Sequence, residues 1–189
     1  MDFYIHQIGD IKNEKTYKRL VDILKSKMIC SRKILEEQGV TLDYDNTSFE
    51  LNIPDDKKYM YYEEDIHKDR VSLSDPHNNL IARAIQRRDH QTFTCFDYDY
   101  IAFAISRNIP LVEKEDTHGL ALGEVQVKNS IDFEYVVGLI LPIPNEQLSD
   151  ESNNKIIETI ANICEKNNAP LDIYNYEGEL LYKRKSIVK

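Results

Sequence analysis

No stretch of this chain approaches the roughly 18–20 consecutive apolar residues that a membrane helix needs, so no membrane span is expected. Cysteine is scarce. Cys30, Cys95 and Cys164 stand far apart with no CxxC spacing, which argues against a structural zinc site or a disulfide framework and suits a reducing compartment. Each lies among apolar neighbours and reads as a buried thiol. The opening MDFYIHQIGD carries an acid and no apolar run behind a basic patch. It does not read as a secretory signal, and a cytoplasmic location is expected. Basic residues are the minority, with 24 Lys and Arg against 33 Asp and Glu and a formal net charge of −9. Non-specific nucleic-acid binding calls for the opposite sign. Walker, GxGxxG, HExxH and GxSxG patterns are all missing. The five histidines, His6, His67, His77, His90 and His118, show no paired ligand spacing, so no metal site is expected.

What is present is a soluble composition, 41% hydrophobic and 30% charged over 189 residues. That is enough for one domain with a real core. The charge is uneven. Lys12, Lys15, Lys18, Arg19, Lys25, Lys27, Arg32 and Lys33 cluster against only Glu14 and Asp22, while acids prevail from Glu36 to Asp69. A local basic face on an acidic protein suits a small anionic ligand or an acidic partner, or is simply a solvated helix face.

Periodicity gives the elements. Asp2 to Ile8 alternates as a strand, with Phe3, Ile5 and Gln7 on one face and Tyr4 and His6 on the other. Tyr17, Leu20, Val21, Leu24 and Met28 recur at helical spacing, predicting a helix over about Glu14 to Met28. Ser31 can cap a short helix that Gly39 stops. Thr41 to Asp69 is polar and acidic and reads as a long loop, with one short strand near Ser48 to Ile53. Arg70 to Ser74 is a short strand, and Asp75-Pro76 opens a helix. Thr92 to Tyr98 and Tyr100 to Ile105 read as further strands. Two apolar runs then flank the turn-prone Lys128-Asn129-Ser130: Leu120 to Val127 and Val136 to Leu141. An amphipathic helix begins at Ser149 or Ser152. The final Leu171 to Lys183 reads as a hairpin turning at Gly178. Hairpins outnumber crossovers, so the expected class is α+β, with mainly antiparallel sheets forming a cleft and flanking amphipathic helices. A single domain over 1–189 is expected, with 149–183 packed on the same core.

Glu124 is the conspicuous residue. It sits inside a predicted strand whose other side chains, Gln126 aside, are apolar or small. It either faces water or points into a cleft. An N-terminal strand with a mid-strand histidine, a helix reading LVDILKS, then a late strand GEVQV followed by FEYVVGLILP together resemble the ADP-ribosyltransferase-like superfamily, which includes toxins and phage-defence proteins. The resemblance implies two packed sheets about a cleft for NAD. It implies His6 at a ribose, Ser72 and Ser74 lining the nicotinamide pocket, and Glu124 as the catalytic carboxylate. Arg70 or Arg32 would meet the pyrophosphate, on charge alone. His6 and Glu124 would line one concave pocket, with a serine or tyrosine between them, and their placement on opposite faces would end that reading of the site. The chain departs from the pattern: Leu122 and Gln126 flank Glu124 where a paired Glu-x-Glu is usual, and RVSLS lacks the usual tyrosine.

Two functions follow. One is an NAD-using enzyme acting on a nucleotide substrate. The other is a non-catalytic binding or interaction protein, an immunity or anti-defence factor whose acidic surface meets a basic protein partner.

Overall fold

The structure, a computed structural model, describes residues 2–40, 68–76, 99–113, 124–144 and 148–185. Nine strands and three α-helices lie within the described residues. In chain order they are β1 (Phe3–Asp10), α1 (Glu14–Ser26), β2 (Met28–Cys30), α2 (Arg32–Glu37), β3 (Arg70–Ser74), β4 (Tyr100–Ser106), β5 (Glu124–Lys128), β6 (Ser130–Asp132), β7 (Val136–Leu141), α3 (Asp150–Lys166), β8 (Asp172–Asn175) and β9 (Leu180–Tyr182). The fold is α+β. A seven-stranded sheet runs β5-β3-β1-β4-β7-β8-β9, and β2 and β6 form a separate two-stranded ribbon. Among the described residues only β7–β8 is a parallel pairing in the large sheet. That pair needs a crossover, and α3 supplies it.

Helix ends follow local chemistry. Asn13 caps α1 by accepting the Lys15 N–H, and Ser31 caps α2 by accepting from Ile34. Ser149, not Ser152, caps α3, and it accepts from Ser152 N–H. The predicted first helix is shorter than its apolar stripe. Lys27 turns left-handed at φ 58, ending α1 at Ser26, and Met28 starts β2 instead. The Lys27 ammonium then donates to the carbonyls of Asn167 and Asn168 and lies over the Phe133 ring. A cation there complements the carbonyl-rich end of α3.

The sheet has two unlike faces. Ile8, Val71, Leu73, Ile101, Phe103, Ile105, Leu139 and Ile173 point to the helices and meet Leu20, Leu24, Ile157 and Ile160 in the main core. Burying each such side chain contributes about 1.5–3 kcal/mol. On the other face Ile5, Ala102, Ala104 and Ile140 are buried with Tyr176. There the Phe3 and Tyr174 rings meet at 5.6 Å, and the Tyr176 hydroxyl donates to the Tyr100 carbonyl.

The two late apolar runs are both strands, but they do not pair with each other. β5 pairs with β3, whereas β7 lies between β4 and β8. β6 and a short turn of 3-10 helix at Phe133–Tyr135 carry the chain from one to the other. The hairpin at the C-terminus does form, with Gly178 at φ 87. The expected strands near Ser48 to Ile53 and at Thr92 to Tyr98, the body of the helix opening at Pro76, and the residues before Glu124 lie outside the described residues. No helix among the described residues is long and apolar enough to cross a membrane.

Candidate functional site

The register of three strands decides which candidates meet. Ser74 pairs with Glu124, Ser72 with Gln126 and Arg70 with Lys128. Directly paired residues share a face. Arg70, Ser72, Ser74 and Glu124 therefore lie on one side of the β3–β5 pair, and Gln126 lies among them. Ser72 is exposed, Ser74, Arg70 and Glu124 are half-buried, and Gln126 is buried.

Gln126 organises this face. Its carbonyl oxygen accepts from the Arg70 guanidinium at 3.1 Å, and its amide reaches the Glu124 carboxylate at 3.5 Å. Arg70 also stands 3.7 Å from Asp69. The guanidinium is thus engaged with neutral and acidic neighbours of its own chain, which weakens the expectation that it serves a pyrophosphate. In the sequence alone Gln126 stands only as a departure from a paired acid. The usable signal was its spacing two residues from Glu124, which puts both side chains on one strand face.

His6 goes elsewhere. Ile5 pairs with Ser74, so Ile5, Ser74 and Glu124 share a face. The next residue, His6, leaves the strand on the other side, where it pairs with Phe103. The single pocket lined by both His6 and Glu124 is not what the strands build. The physical reason is pleat alternation: the histidine stands one place, not two, from the residue that faces Glu124 across β3.

The ring nonetheless has a definite position. β1 and β4 are paired from Phe3–Ser106 to Asp10–Tyr100, and β3 and β5 along their whole lengths. Between β1 and β3 the paired position is Ile5–Ser74 alone. The large sheet is therefore two leaves, β5-β3 and β1-β4-β7-β8-β9, joined at a narrow seam. His6 reaches across it, with Nδ1 3.0 Å from the Ser72 carbonyl oxygen. A carbonyl only accepts, so Nδ1 carries the proton. Burial pulls the ring's pKa below its ordinary 6.5, against the opposing effect of that hydrogen bond. At neutral pH the ring is uncharged and Nε2 is an acceptor.

A groove of about 320 Å³ lies away from this region, between α1 and α3. Tyr17, Leu148, Ser152, Lys155, Ile156 and Thr159 line it, and none of the expected site residues does. Of the thiols, Cys164 is buried and its pKa is pushed up to about 12 by that burial, and half-buried Cys30 is raised for the same reason. Neither supplies a thiolate nucleophile at neutral pH. Cys95 lies outside the described residues.

No family model, curated protein or solved structure matches this chain.

Proposed function

We propose that this chain is an ADP-ribosyltransferase-like protein that uses NAD, and that its working surface is the β3–β5 face beside the seam rather than one pocket shared by His6 and Glu124. The observation that carries this reading is the Ser74–Glu124 register, which lays a carboxylate and two hydroxyls side by side on one strand pair. That set suits ribose hydroxyls. It suits a pyrophosphate less, because Arg70 is already engaged.

Bound NAD supplies the glycosidic bond whose cleavage leaves positive charge on a ribose, as in glycoside hydrolysis. Glu124 is the group that gains from that charge. A carboxylate fixed by the Gln126 amide needs little reorganisation as the charge develops. Ser72 and Ser74 orient the sugar by donating or accepting at its hydroxyls. The expected compartment is cytoplasmic.

The second reading is a non-catalytic binding or interaction protein. The separation of His6 from Glu124 by pleat alternation favours it, because the resemblance implies that both hold one ligand.

Incubating the purified protein with NAD and following nicotinamide release beside Glu124→Gln separates the two. The enzyme reading expects release that falls by roughly 10²–10³ in the variant, the usual cost of removing a charge-stabilising group. Equal release from both proteins overturns it. Calorimetric binding of NAD with no release assigns the second reading.

A further inference from the structure

The geometry points to Arg107 as a positioning residue: it clamps the two leaves of the sheet together and so sets where Ser72, Ser74 and Glu124 stand relative to β1. The inference about the site rests on the NAD reading above; the clamp itself rests on the fold alone.

Arg107 follows β4 directly, and Asp75 follows β3 directly. These strands belong to different leaves and are not neighbours, since β1 lies between them. The Arg107 guanidinium nevertheless meets the Asp75 carboxylate at 2.9 Å. To do so it crosses above Tyr4 of β1, with its central carbon 4.2 Å from the ring centroid. One side chain therefore links the ends of β4 and β3 across the Tyr4 ring of β1. Both partners are largely shielded, at 25% and 14% side-chain exposure. A planar cation over an aromatic face, with a carboxylate at its end, is the arrangement arginine makes and lysine does not.

The place of this contact matters. Ile5–Ser74 is the paired position between the leaves. One residue further along each strand, on one side, come Tyr4 and Asp75, bridged by Arg107. On the other side His6 holds the Ser72 carbonyl. The backbone pair is thus braced by one side-chain link at each end. β3 carries Ser72 and Ser74 and pairs with β5 along its whole length, so Glu124 is placed by β3, while the Val112 N–H donates to the Gln126 carbonyl at 2.8 Å on the other edge of β5. Releasing Arg107 removes the side-chain link at one end of that backbone pair.

The test compares Arg107→Met, which keeps bulk and loses charge, with Arg107→Lys, which keeps charge and loses the plane. Hydrogen exchange is measured at the amides of Val71 to Ser74 and at those of α3 in the same sample. The clamp predicts that Arg107→Met speeds exchange in β3 at least tenfold more than in α3, and that Arg107→Lys falls between it and wild type. Exchange that rises equally in both elements, or in neither, overturns the clamp. The same proteins are assayed for nicotinamide release across NAD concentration. Positioning predicts that Arg107→Met lowers kcat/KM about tenfold, partly recovered in Arg107→Lys. An unchanged kcat/KM in a protein whose β3 exchange has risen overturns the link to the site. If wild type releases no nicotinamide, the NAD reading fails, and the exchange result still decides the clamp.

Discussion

His6 is held in its neutral form between two strands, and this gives stability a pH dependence of definite sign. The unfolded chain takes up a proton near the ordinary histidine value of 6.5, while the folded chain resists until lower pH. Between those values the unfolded state binds more protons, so stability rises with pH. The contribution is fully present above about pH 6.5 and is lost as pH falls toward the folded pKa. Denaturant midpoints at pH 7.5 and pH 5.5 should therefore fall further for wild type than for His6→Gln. Parallel falls in the two proteins would remove His6 as the cause. At this scale the sequence was legible where partners are local. Ser31 and Ser149 both cap a helix by accepting from an amide three residues on. His6 was not legible in the same way, because its partner is a carbonyl 66 positions away. Gln126 was misjudged because its value lies in two neighbours, Arg70 and Glu124, of which only one is close in sequence.

The strands of the large sheet were legible as strands, whereas β2 and β6 of the ribbon were not, and apart from the C-terminal hairpin the pairings were not either. The runs around Lys128-Asn129-Ser130 have the apolar pattern and the turn residues, and Asn129 does take a left-handed φ of 64. Their pairing is set by the core instead. Val125 and Val127 pair with Leu73 and Val71, while Leu139 and Ile140 are sandwiched between β4 and β8. A connection long enough to hold β6 lets the two strands part. The β7–β8 contact gives a test of how tight that second set is. A Cβ at Gly138 would stand 2.7 Å from both the Asp172 carbonyl oxygen and the Tyr174 ring. Neither can yield without opening a parallel pair or turning a ring that packs on Phe3. Gly138→Ala should cost about 1–3 kcal/mol, the usual range for overpacking, read as a lower denaturation midpoint with an unchanged m-value. Unaltered stability would show that β7 and β8 sit further apart than described.

At the scale of the molecule, the α+β class was readable from composition and period, and the seam was not. It arises because β1 is fully paired on one side and barely on the other, and nothing in FYIHQIGD distinguishes its two edges. The main core also runs through the C-terminal third: Ile157, Ile160, Ala161, Cys164 and Ile173 are all within it. A chain cut before Ser149 should lose cooperative thermal unfolding altogether, because β7 would have an unpaired edge and α1 an uncovered stripe. A sharp melt in that truncated chain would show the N-terminal part to be independent. The rung that sets Ser74 opposite Glu124 has one last implication. Sliding β5 by a single place would not blunt the acidic surface; it would turn it inside out, sending the carboxylate toward Leu20 and Leu24's side of the sheet and leaving valine outside. A shift by two would restore the facing while moving the acid about 7 Å along the strand.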